Sequence, residues 1–221
     1  MKAGDVFGNP VTGESGYLRV GTDETNGELL VADLRVRPGG AVVGEHVHPA
    51  LDERFTVLKG KLGYKLGGKE GVAEAGVTLD LPRGVPHDWW NTGDEEARVI
   101  VQIRPAARFE QMATTLFGLA QEGKTNAKGM PNLLQLAVIS KEFEDVVQFM
   151  NPPIWVQRVL FGLLAPLGRL FGYRASYPHH IAAVESVAVE PLPDGVRVPT
   201  LEAARPASPV GGVVQGAPAR A

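Results

Sequence analysis

The chain has no cysteine, which excludes disulfide bridges and thiolate metal ligands and fits a reducing compartment. It has no surplus of positive charge either. The 22 Lys and Arg against 25 Asp and Glu give a formal charge of −3 and a pI near 6.0, and no basic run appears, so no field is present to attract nucleic acid. The first residues, MKAGDVFGNPVTGESG, lack the apolar h-region of a secretory signal. A cytoplasmic location is therefore the expectation. No internal repeat is found, and aromatic residues are missing from Glu190 to Ala221, a stretch rich in Pro, Ala, Gly and Val with little material for a core.

The 221 residues, 44% of them hydrophobic, suffice for one domain with an appendage. From residue 17 to residue 105, short apolar runs alternate with Gly, Pro, Asn and Asp and show no helical period, which predicts an all-β sandwich or barrel. Leu29–Val36, Phe55–Leu58, Leu62–Leu66, Val77–Leu81 and Ala97–Ile103 read as strands, and Gly67-Gly68 reads as a hairpin turn. Residues 1–16 form a separate N-terminal segment.

Beyond Pro105 the period changes, and residues 106–174 read as about three helices. The first covers Ala106–Gly123, with Phe109, Met112, Leu116 and Leu119 on one face. The second follows Pro131 and is expected to continue to Met150. The third is expected to be capped by Asn151, with Pro152 at its first position, and to cover Ile154–Phe171 with a kink or break at Pro166. That last run is apolar nearly all round, but Arg158, Pro166 and Arg169 interrupt it. It is shorter than the roughly 20 apolar residues of a membrane span. Packing against the barrel or a second subunit is expected; membrane contact through residues 154–171 is the less favoured reading. Residues 175–221 are expected to be an extended, flexible tail.

Chemistry concentrates in two segments, GAVVGEHVHPALDERFTVLKG and GVTLDLPRGVPHDWWN. His46 and His48 are spaced i, i+2 and so share one side of a strand, while Glu53 and His87 return from neighbouring strands. Period two places Glu53, Phe55 and Val57 on one inward face. Four polar groups in an apolar interior are costly unless something binds them, and a divalent metal ion is the economical occupant. Three imidazoles and a carboxylate suit iron, manganese, nickel, copper or zinc without choosing among them. Backbone carbonyls, Glu45, Asp52 or Asp88 are candidate acceptors for the outer ring nitrogens. Phe55, Val57, Leu79, Trp89 and Val101 are core positions that also qualify as pocket lining. His179 and His180, in YPHH, have no partner spacing and are read as exposed.

Gly40, His46, His48, Glu53 and Gly60, followed by Gly76, Pro82, Gly84, His87 and Asn91, resemble the paired motifs of the cupin superfamily at every fixed position. The resemblance covers roughly residues 17 to 105. It implies a mainly β fold, a cupin-type antiparallel β-barrel (jelly roll) followed here by a helical extension, with His46, His48, Glu53 and His87 as metal ligands. It also implies barrels that often pair, so a homodimer is expected. It leaves the reaction open, because cupins carry unrelated activities on one scaffold. The leading expectation is an oxidoreductase of the dioxygenase type acting on a small apolar or phenolic molecule, with Glu53 as ligand or general base. The alternatives are a metal-dependent isomerase, epimerase or lyase on a sugar or keto acid, and a non-enzymatic cup for a small ligand. A phosphosugar would need cations in the cavity, and Arg54 and Arg98 have outward parity.

Overall fold

A computed structural model of the chain describes residues 1–42, 44–182 and 185–196. Eleven strands are present among them: β1 (Val6–Asn9), β2 (Glu14–Val20), β3 (Leu30–Val36), β4 (His46–Val47), β5 (Asp52–Lys59), β6 (Lys61–Leu66), β7 (Lys69–Glu74), β8 (Thr78–Leu81), β9 (His87–Asn91), β10 (Ala97–Arg104) and β11 (Gln148–Phe149). Five helices accompany them: α1 (Thr22–Thr25), α2 (Phe109–Gln121), α3 (Leu133–Glu142), α4 (Ile154–Leu170) and α5 (Pro178–Ala182).

The strands form two antiparallel sheets, ordered β1-β2-β3-β10-β5-β8 and β11-β4-β9-β6-β7, and the fold is a cupin-type jelly roll with a helical C-terminal portion. The β5 strand shows how the sequence dictates this. Its side chains alternate, with Glu53, Phe55 and Val57 buried between outward Arg54 and Thr56, as a strand with one face on a core requires. The inward residues of both sheets share one core, in which Phe55 of one sheet meets Trp89 of the other edge-to-face at 5.8 Å. Gly60 turns β5 into β6 with φ of 76°, a conformation that L side chains rarely adopt.

The helical portion departs from the sequence expectation in three places. The second helix stops at Glu142, not Met150: Phe143 ends it, and the amides of Val146 and Val147 turn back onto the Phe143 carbonyl. The next residues form β11, which pairs with β4 through Gln148↔Val47 and Phe149↔His46. Sheet pairing thus overrides a helical apolar pattern there. The third helix begins at Ile154 behind Pro153, with no side-chain cap from Asn151, and continues through Pro166 as one element. Its Phe161, Ala165 and Gly168 pack on α3, whereas Trp155, Val159, Leu163 and Leu170 stay exposed. No helix among the described residues is long and apolar enough to cross a membrane.

Part of the expected tail is held against the fold. Ser186 bridges to Asp5 and donates to its carboxylate, while Glu190 accepts from Arg19 and Arg98. Residues 197–221 lie outside the described residues.

Candidate metal centre

The β4 and β9 strands run side by side with His46 paired to His87, and His48 follows two residues after His46. Their three rings meet, with centroids 4.5 Å apart for His46–His87, 4.9 Å for His46–His48 and 5.2 Å for His48–His87. Glu53 enters from β5 on the facing sheet. Its Oε1 lies 3.6 Å from His48 Nε2, and its Oε2 lies 3.2 Å from His87 Nε2. All four residues are buried, and one ligand atom from each falls within 4.8 Å of the others. The four positions singled out in the sequence are therefore brought together.

The tautomers follow from the outer hydrogen bonds. His46 Nδ1 donates to the Gly44 carbonyl at 2.9 Å, His48 Nδ1 to that of Val146 at 2.6 Å, and His87 Nδ1 to that of Val85 at 3.0 Å. A carbonyl can only accept, so the proton of each neutral ring sits on Nδ1 and the Nε2 lone pair is left over. His48 Nε2, His87 Nε2 and Glu53 Oε2 have no hydrogen-bond partner, and the His87–Glu53 approach lacks hydrogen-bond alignment. Buried polar atoms left unpaired in this way are costly. A cation accepting all of them fits the donor set.

Charge points the same way. Burial, followed by repulsion from His48 and His87, pushes the His46 imidazole down to about 3, and burial likewise lowers His48. Burial opposes the charge on Glu53, yet the three imidazoles outweigh it and hold the carboxyl at about 2. The same carboxylate outweighs burial at His87 and raises that ring. Glu53 is thus the one anionic group of the four, set among three imidazoles. A carboxylate held so low is a poor proton acceptor at neutral pH.

The centre opens onto a cavity of about 160 Å³. Phe55, Trp89 and Val101 line it with His46, His48 and Glu53. Val57 and Leu79 do not: they pack in the core, 0% and 5% exposed. Sequence reasoning missed the rest of the lining, which comes from Phe7 and Glu14 before the barrel motifs and from Phe109, Leu116, Val147 and Phe149 after them, among others. The apolar period of α2 was visible, but its target was not. Phe109 sets its ring edge-to-face on His48, with centroids 5.8 Å apart. None of the acidic candidates serves as outer acceptor: Glu45 pairs with Lys65, Asp52 with Arg83, and Asp88 accepts from the Trp89 amide.

Of the other two histidines, His179 is exposed as expected, whereas the His180 side chain is not. Their Nε2 atoms approach Glu122 Oε1 at 2.8 Å for His179 and 3.1 Å for His180. The His180 ring is buried against Gly118 of α2. Lys124 ion-pairs with the same carboxyl group at 2.8 Å, and the two imidazoles join α5 to Glu122 at the end of α2.

Comparison with known proteins bears on residues 32–103, which match the sequence model of the Cupin domain. The chain is 36% identical over 72 residues to "Polyketide synthase CurC" of Streptomyces cyaneus, covering 33% of this chain and 46% of that protein. It is 35% identical over 78 residues to "Tetracenomycin polyketide synthase protein TcmJ" of Streptomyces glaucescens, covering 35% and 52%. The chain thus spans about half the length of the curated relatives it matches. Among solved structures, a predicted oxalate decarboxylase from Thermotoga maritima aligns with a TM-score of 0.40 at 20% identity, over 46% of this chain and 92% of that one.

Proposed function

The chain carries a cupin-superfamily domain, and from that premise we propose that it is a metal-dependent oxidoreductase of the dioxygenase type acting on a small, mainly apolar, phenolic molecule. The observation that carries this reading is the adjacency of two features: a buried set of unpaired imidazole and carboxylate atoms, and a cavity with no Lys or Arg side chain in its lining. A divalent ion held by His46, His48, Glu53 and His87 would supply Lewis acidity and open coordination positions. The chain's own residues do the rest. Phe55, Trp89 and Val101 exclude water and offer aromatic and aliphatic surface to a flat ligand.

The sugar and keto-acid alternative loses support here. Arg54, Lys59, Lys65, Arg83 and Arg98, the cations that would bind phosphate, are tied to Asp80, Glu95, Glu45, Asp52 and Asp33. A second reading, a non-oxidative role in polyketide synthesis, rests on the likeness to two Streptomyces proteins named for polyketide synthases.

The test is elemental analysis of untagged protein purified without chelator, beside a His46→Ala/His48→Ala control, followed by oxygen-uptake assays with phenols. About one iron, manganese, nickel or copper per chain, absent from the control, together with oxygen uptake, is the expected result. Zinc alone with no oxygen uptake would move the conclusion to the non-oxidative role. No metal under any loading condition would overturn both.

A further inference from the structure

One buried carboxyl is left unused by the metal centre. Glu14 opens β2, pairs in register with Asn9 and Val36, and is 7% exposed. The turn before it is locked, because Asn9 Oδ1 accepts the amides of Val11 and Thr12 at 3.0 and 3.2 Å. Thr12 Oγ1 then donates to Glu14 Oε2 at 2.6 Å. Glu14 Oε1 has no hydrogen bond to any described residue, and Glu14 lines the same cavity as His46, His48 and Glu53. The nearby Arg37 is directed elsewhere, onto the Val11 carbonyl.

Register places the two carboxyls at opposite ends. Glu53 lies level with Ile103 of β10, and Ile103 is level with Leu30 of β3. Glu14 lies level with Val36 at the other end of β3. Leu30, Ala32 and Leu34, which line the cavity between them, cover about 13 Å of strand at roughly 3.3 Å per residue. Apolar side chains of β3 thus line the cavity between Glu53 and Glu14, and Asn9, Glu110 and Thr114 add further polar groups to its lining.

We propose that Glu14 is the second polar anchor of this cavity, hydrogen-bonding an oxygen at the far end of an elongated, neutral, flat ligand whose near end meets the His/Glu centre. Burial pushes the Glu14 carboxyl up to about 7, with no charged neighbour contributing to its environment. At neutral pH it is thus able to donate as well as accept, and a carbonyl or hydroxyl oxygen suits it better than a cation. Glu14 lies outside residues 32–103, the part that matches the cupin domain. Selection by ligand length follows. The proposal rests on the reading of the cavity as a site for a mainly apolar phenolic molecule.

The test measures binding of two probes to the metal-loaded full chain by fluorescence quenching: 2,6-dihydroxyanthraquinone, with a hydroxyl at each end, and 2-hydroxyanthraquinone, with one. Loss of one hydrogen bond predicts that Glu14→Leu weakens the first probe about tenfold and leaves the second unchanged, while Glu14→Gln retains most of the affinity. If both probes bind wild type and neither discriminates the variants, Glu14 is no anchor and the ligand class stands. If wild type binds neither probe, the ligand class falls and the anchor falls with it. Should Glu14→Leu fail to fold, equal affinity of wild type and Glu14→Gln for both probes, with no preference of wild type for the two-ended one, would overturn the anchor by itself.

Discussion

Replacing Phe143 by alanine should damage stability and the metal centre together, although Phe143 lines neither the centre nor the cavity. Its ring is completely buried in the core shared by barrel and extension, beneath the Arg108 guanidinium at 5.1 Å. Its amide closes α3 on Ile139, and its carbonyl accepts the amides of Val146 and Val147 at 2.9 and 3.0 Å. That turn aims the Val146 carbonyl at His48 Nδ1. Truncating a fully buried Phe costs about 3–5 kcal/mol, a large part of the roughly 5–15 kcal/mol that holds an ordinary domain together. Losing the anchor of the turn also frees the acceptor that orients His48, and outer-sphere partners of this kind carry about 10–100-fold in metal affinity. Urea unfolding of the metal-free protein measures the first effect and titration with zinc the second, with Phe143→Leu as the milder control. A stability loss below about 1 kcal/mol would refute the packing argument. An unchanged zinc affinity alongside the full stability loss would refute the link through Val146.

Two further outcomes can be checked by the same unfolding assay. Helix α4 contains two glycines in opposite settings: a methyl at Gly162 meets nothing within 4 Å, whereas one at Gly168 would lie 2.7 Å from Val138 Cγ2 and 2.8 Å from the Leu134 carbonyl. Gly162→Ala should therefore stabilise by about 1 kcal/mol through helix propensity, and Gly168→Ala should destabilise, since overpacking costs about 1–3 kcal/mol; the same sign for both would be contrary to this packing. The second outcome concerns Glu14, whose folded pKa is raised from 4.5 to about 7. Its contribution is fully present below pH 4.5 and is lost as pH rises through 7, to a total of about 3 kcal/mol. Glu14→Gln should accordingly gain on wild type by about that amount between pH 4.5 and pH 8, and a pH-independent difference would show that Glu14 titrates normally.

The β portion was readable because its signals are local. Alternation along Glu53–Lys59 follows from the pleat, and the positions of His46, His48, Glu53 and His87 follow from spacing within two short segments. The centre's dependence on the extension was not readable, because the group that matters is the Val146 backbone carbonyl, which every residue type possesses. The end of α3 was misjudged for a related reason. Phe143, Val146, Val147 and Met150 have helical spacing, and only the open edge of β4, some hundred residues earlier in the chain, turns Gln148-Phe149 into a strand. Glu14 was invisible for the opposite reason: a lone glutamate after a turn reads as solvent-facing, and its burial depends on β1, β3 and the cavity wall closing around it.

Two layers of the molecule now separate by origin. The segment that matches the cupin domain supplies the ligand set and part of the cavity lining, including Phe55, Trp89 and Val101. More of the lining, with Phe109 against His48 and Val147 and Phe149 beside it, comes from residues after 105, while Glu14 comes from residues before 32. Excluding water strengthens electrostatic interactions at such a centre, so the flanking segments bear on the ligand set without contributing one of its four residues. On the proposed reading, selection by ligand length would rest on Glu14 and the α2 side chains, outside the motifs that identify the fold.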